Sequence, residues 1–129
     1  MSDAVKIVQE YFDALAAKDF AKVGEYLADG IVWHQPGANQ LSGVQEGAGA
    51  VNAMIGRMME ISQGSFELVL TAPPMGNGDL VAATIHFTAR REGAVLDQDG
   101  VDLLKIADGQ IVEAWLFSSD QPGEDEFWG

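Results

Sequence analysis

Three side chains of this 129-residue chain have the types and settings for acid–base chemistry: Tyr11, His34 and Asp102. His34 follows a short β-type run, Ile31-Val32-Trp33, and enters a turn at Pro36-Gly37. An imidazole exchanges protons near neutral pH, so a histidine at a strand end facing a pocket could serve as a general base or acid. The alternative is a loop histidine bonded to backbone. Asp102 shares a strand face with Leu104 and Ile106 by simple alternation. A lone carboxylate among apolar neighbours is costly to ionise, so its pKa is expected to rise; an aspartate near a strand end could instead reach water. Tyr11 lies one turn from Val8 and Leu15, either as a boundary aromatic or with its ring in the core and its hydroxyl aimed into a cavity.

These residues need elements to hold them. Val5, Val8, Phe12 and Leu15 recur at helical spacing, with Ser2 or Asp3 available as a cap. Lys18-Asp19 breaks this helix, and Asp19 caps a second through Phe20, Val23 and Leu27, ending near Asp29-Gly30. Residues 31–33 form a short strand, and 34–43 a loop that wraps over something. A third helix is predicted from about Gly47 to Ser62, with Val51, Met54, Ile55, Met58 and Ile61 on its apolar side. From Ser65 the hydrophobic period switches to two. Strands are predicted over 66–71, 80–91, 95–107 and 111–117, with Pro73-Pro74 plus Gly76-Asn77-Gly78, Glu92-Gly93 and Asp108-Gly109 as turns. The order predicts a single α+β domain over residues 1–129, with three helices packed on the concave face of a curved antiparallel sheet.

Alternation divides each strand into an apolar set and a mixed set. The sets containing Ile85/Phe87, Leu104/Ile106 and Ala114/Leu116 are assigned to the helix-covered face, together with Asp102. Trp33, Met54, Met58, Ile85, Phe87, Leu104 and Leu116 are the expected pocket walls, with Asp120 at the mouth. Ile111, Trp115, Phe117, Leu103 and His86 go to the outer face, where large apolar residues point to a second subunit. Asp97, Asp99 and Asp102 are weighed as a metal cluster and read instead as acids flanking a turn, since alternation sends Asp102 to the other face.

Composition narrows the partners. Twenty acids against seven bases give a formal charge of −13, which disfavours nucleic acid and anionic membrane surfaces. Cysteine is absent, which excludes thiol chemistry and a disulfide scaffold. The first residues, MSDAVKIVQEYF, lack a signal-peptide pattern, and no stretch is long and apolar enough to span a bilayer, so a cytoplasmic location is expected. A neutral, hydrophobic small molecule is the partner class this charge least disfavours.

The segments IVQEYFDALAAKDF, VGEYLADGIVW, HQPGANQLSG, DLLKIADGQIVEAWLFSSDQPG and the final EFWG resemble the SnoaL-like and ketosteroid-isomerase-like group of the nuclear transport factor 2-like superfamily. The resemblance implies a cone-shaped curved sheet around a pocket, and a homodimer through the outer face. It places Tyr11 and a protonated Asp102 as donors to a substrate oxyanion, with His34 at the position of that family's general-base aspartate. In polyketide cyclases of the group an acid stands near Trp115-Leu116; the nearest here is Glu113, on the opposite face, with Asp120 just beyond the strand. The Asp-Arg-Asp set of limonene epoxide hydrolases has only Arg90 or Arg91 with Asp97 or Asp99 to draw on. The expected function is cofactor- and metal-independent acid–base chemistry, of isomerase or cyclase type, on a hydrophobic carbonyl or polyketide-like substrate. The alternatives are a non-catalytic ligand-binding domain and an epoxide hydrolase.

Overall fold

The structure, a computed structural model, describes residues 3–129. The helix cap expected at Ser2 lies outside them. Helix α1 (Asp3–Ala16) buries Val8, Tyr11, Phe12 and Ala14, and it packs against the sheet. Lys18 takes a left-handed backbone conformation and reverses the chain. Asp19 then caps α2 (Phe20–Glu25) by accepting from the Lys22 N–H.

Helix α2 is shorter than its sequence pattern. Ile111 N–H donates to the Tyr26 carbonyl at 2.7 Å, which draws Leu27 out of the helix and into β1 (Leu27–Gln35). The Asp29-Gly30 pair expected at the helix end lies instead within an irregularity of β1, between Leu27 and Val32. Strand β1 turns into β2 (Gly43–Glu46), so the loop read over 34–43 is largely the tip of a hairpin. Helix α3 (Ala48–Ile61) follows without a side-chain cap, and the Gly47 N–H is satisfied by the Ile31 carbonyl.

The remaining strands are β3 (Glu67–Leu70), β4 (Met75–Asn77), β5 (Leu80–Arg91), β6 (Ala94–Ala107) and β7 (Gln110–Ser118). The short β4, paired with β5, occupies what reads as a turn in the sequence. The sheet order is β2-β1-β7-β6-β5-β3. The sheet is mixed, not wholly antiparallel: β1 runs parallel to β7. Parallel neighbours cannot be joined by a hairpin, and β1 reaches β7 only after most of the chain has intervened.

A fourth helix, α4 (Gln121–Trp128), raises the count above the three expected. Asp120 caps it by accepting from the Gly123 N–H, with Pro122 in its first turn. Arg91 donates to the carbonyls of Phe127 and Glu126 at its other end and lies over the Phe127 ring. A guanidinium there meets both the orphan carbonyls and the negative end of the helix dipole. The hairpin tip also holds α4: Gln40 donates to the Trp128 carbonyl and Asn39 to the Asp125 carboxylate. Gly37 has a positive φ, and a side chain there would occupy the space of Asp125 and Gln121.

Alternation holds along β5, where Val81, Ala83, Ile85, Phe87 and Ala89 are all buried, and along β6, where Leu96, Gln98, Asp102, Leu104 and Ile106 are. It fails on β7. An irregularity opposite Lys105/Ile106 turns Ile111 into the core, whereas strict alternation sends it to the outer face. No helix among the described residues is long and apolar enough to cross a membrane.

Candidate functional site

A cavity that opens to the surface lies between the sheet and the helices. Helix α1 contributes Tyr11 and Leu15, and α3 contributes Met54, Ile55 and Met58. The sheet supplies Trp33, Leu68, Ile85, Phe87, Asp102 and Leu116, and α4 supplies Glu124. Lys18, Phe20 and Pro36 are also in the wall. Lys18 is tied to the Gly64 carbonyl, with Glu67 3.9 Å away. The walls are mostly hydrocarbon and aromatic, with a few polar groups among them, which is the usual make-up of a small-molecule site.

Asp102 is the chemically exposed point of this pocket. It sits in the middle of β6, between Ala83 of β5 and Leu116 of β7, and is 2% exposed. Its Oδ1 has no hydrogen-bond partner among the described residues. Burial, and then the charge of Glu124, raise its pKa to about 7. Tyr11 is equally buried, and its phenol is pushed well above its ordinary value, first by burial and then by the Asp102 charge. A neutral phenol and a carboxyl that gains and loses a proton near neutrality thus line one apolar cavity. Each can donate to a ligand oxygen in the cavity, and the carboxyl can also move a proton.

His34 is elsewhere. On β1, Ile31, Trp33 and Gln35 point inward, so Val32 and His34 point outward. The His34 ring stacks on Trp115 with centroids 5.5 Å apart, and its Nε2 lies 2.8 Å from Glu113 Oε2. The structure therefore separates His34 from Tyr11 and Asp102 by the thickness of the sheet. The pattern contained this answer: Trp33 and His34 are adjacent strand residues and cannot share a face. Trp33 is the one in the pocket, its indole N–H donating to Gln35.

Of the other expected wall residues, Met54, Met58, Ile85, Phe87 and Leu116 line the cavity. Leu104 lies in the solid core behind it. Asp120 is absorbed in capping α4, and its backbone pairs with the Gln98 side chain. Arg90 is exposed on the sheet and Arg91 is bound to α4, so neither stands between two carboxylates in the pocket. His86 is gripped by Asp97 and Asp99, at 2.7 Å each, which raises its pKa.

Glu124 is the residue that sequence reasoning missed. It is 5% exposed. Its Oε1 accepts from Ser118 at 2.8 Å and Gln121 at 3.0 Å, and its Oε2 accepts from the Trp128 indole at 3.3 Å. No cation among the described residues pairs with it. The signal was a cap, Asp120-x-Pro122, followed by Glu124 and the apolar pair Phe127-Trp128. The surrounding acids make the same stretch resemble a solvated tail.

A SnoaL-like domain model matches residues 8–114. An uncharacterized protein of Mycobacterium tuberculosis is 29% identical over 122 residues, covering 95% of this chain and 93% of that protein. The crystal structure of a Xanthomonas campestris protein of unknown function with a cystatin-like fold is 44% identical, with a TM-score of 0.93 over 98% of both chains. Bal32a, from a soil-derived mobile gene cassette, is 25% identical with a TM-score of 0.92, over 98% of this chain and 97% of that one.

Proposed function

The chain belongs to the SnoaL-like domain family of the nuclear transport factor 2-like superfamily, and from that membership and its pocket we propose that it performs acid–base chemistry on a hydrophobic, carbonyl-bearing small molecule. The observation that carries the proposal is Asp102: a buried carboxyl with a free oxygen, beside Tyr11, at the wall of an apolar cavity. In this reading Tyr11 and the protonated Asp102 donate to the carbonyl oxygen. Those bonds strengthen as negative charge develops on enolisation, which is the condition for accelerating the step. The α-proton passes to a solvent base at the open mouth of the cavity and carbon is re-protonated from solvent, while Asp102 keeps its own proton as a donor and His34 takes no part. The sheet curves around the ligand as one domain over residues 1–129.

Tetralone, an aryl ketone that enolises slowly by itself, is a suitable probe. Its α-proton exchange in deuterated water, followed by proton NMR, is expected to be faster with the protein than with buffer. Tyr11→Phe and Asp102→Asn should each slow the exchange about tenfold or more, the scale of one lost donor to developing charge, and His34→Ala should leave it unchanged. Equal rates for the parent and Asp102→Asn would remove the catalytic reading. Binding of tetralone without accelerated exchange would favour the second reading, a ligand-binding domain, which the mainly apolar lining supports equally well.

The proposal includes a homodimer through the outer sheet face. Phe117 is 58% exposed and Val69 46% on that face, where His34 and Trp115 also stack. Isolated exposed hydrophobes are ordinary, but several large apolar side chains turned to one sheet face favour a covering partner. Sedimentation equilibrium should give a dimer mass for the parent and a monomer mass for Phe117→Glu. A monomeric parent at micromolar concentration would end this part of the proposal.

A further inference from the structure

The chemistry above uses Tyr11 and Asp102 and leaves Glu124 without a role, although this second carboxylate is buried in the same wall. Burying a carboxylate without a cation is costly, and here three neutral donors from two elements are spent on it. Ser118 reaches it from the end of β7, and Gln121 and Trp128 from α4 itself, so both carboxylate oxygens are engaged and the side chain is fixed in place. Asp102 has the opposite environment: the same depth and no donor to Oδ1.

We propose that Glu124 is a positioning residue that keeps Asp102 in its hydrogen-bond-donating form and makes the pocket select a neutral oxygen-bearing ligand over a carboxylate. The proposal rests on the reading of this cavity as the ligand site and deepens it by naming the charge class of the ligand. The groups that face Asp102 are few. Helix α1 presents Tyr11, the turn after it presents Lys18 at the cavity wall, and α4 presents Glu124. The lining residues of α3 are apolar, as are the flanking strand neighbours Ala83 and Leu116. Lys18 is occupied by Gly64 and Glu67, so no cation among the described residues pairs with Glu124 in the cavity. Two carboxylates in one low-dielectric site do not ionise together without cost, and the one without donors keeps the proton. A ligand carboxylate would bring a third such group, whereas a carbonyl or hydroxyl oxygen would find donors in Asp102 and Tyr11.

The test reads Asp102 directly and needs no ligand. Carboxyl-carbon NMR with isotope-labelled aspartate, assigned by the signal missing in Asp102→Asn, gives the titration of this one group in the full chain. Glu124→Gln keeps an acceptor for its neighbours and removes the charge, so the Asp102 titration is expected to move to lower pH. Gln121→Ala removes a donor and keeps the charge, so the titration should not move down. An Asp102 curve that is the same in Glu124→Gln and the parent would overturn the proposal, even if tetralone exchange behaves as described above. Selectivity is read with naphthol and naphthoate at neutral pH, a neutral and an anionic probe of similar shape. The parent should retain naphthol over naphthoate, and Glu124→Gln should narrow that preference. An unchanged preference in Glu124→Gln would overturn the selectivity part. Failure of both probes to bind the parent would instead count against the cavity as the ligand site, with the titration still deciding the Asp102 part.

Discussion

Asp102→Asn is expected to flatten the pH dependence of stability between about pH 4 and 8, and the protein is expected to be more stable as this variant than as the parent at pH 8. The sign follows from the direction of the shift. The folded value of about 7 lies above the ordinary value of 3.8. Between those values the native state holds a proton that the unfolded chain has released, so stability falls as pH rises. The penalty is absent below the lower value and complete above about 7. The gap between the two values corresponds to about 4 kcal/mol. Asparagine cannot ionise and escapes this cost, although its own amide needs partners and returns part of the gain. Urea unfolding of both proteins at pH 5 and pH 8 measures the effect. His86 loses its stabilising contribution in the same direction as pH rises through its folded value, so the informative quantity is the variant–parent difference at each pH. A difference that does not grow from pH 5 to pH 8 would mean that Asp102 is already ionised across the range, and the donor role proposed for it would fall. The same substitution is expected to suppress tetralone exchange, so the residue trades stability for chemistry.

Trp128→Ala is expected to cost about 3–5 kcal/mol, the range for truncating a fully buried large aromatic. Trp128 is 1% exposed. Its ring meets Phe127 edge-on at 4.9 Å and Phe66 at 5.8 Å, and its indole N–H donates to Glu124. Truncation leaves a cavity in the aromatic cluster and withdraws one of the three donors from a buried carboxylate. Trp128→Phe separates the two effects, because it keeps most of the packing and loses only the N–H; it should cost roughly 1–3 kcal/mol, the scale of leaving a buried polar group unsatisfied. Chemical denaturation of the three proteins checks both figures. A loss below about 1 kcal/mol for Trp128→Ala would show that α4 contributes little to the fold and does not close the pocket.

Much of the frame was legible in the chain. The helical stripe of α1, the long alternating strands β5 and β6, and the inward direction of Asp102 all follow from local periodicity, because side-chain direction within one helix or strand is set by neighbours a few residues away. The same logic was available for His34, since Trp33 beside it already claimed the inner face. Pairing across the sheet was not legible. That β1 lies parallel to β7, that Leu27 leaves a helix for a strand, and that Ile111 turns inward at an irregularity all depend on partners far away in sequence. The burial of α4 depends on long-range packing. Locally, its acids and glycine read as a solvated tail, and a helix this short gains most of its stability from packing rather than propensity. Only when Phe127 and Trp128 sink into the core is Glu124 carried into the pocket beside Asp102. Local patterning was enough to direct one carboxyl in among apolar neighbours; the docking of α4 supplied the second, because a buried charge is tolerated only where the surrounding fold delivers its hydrogen-bond donors.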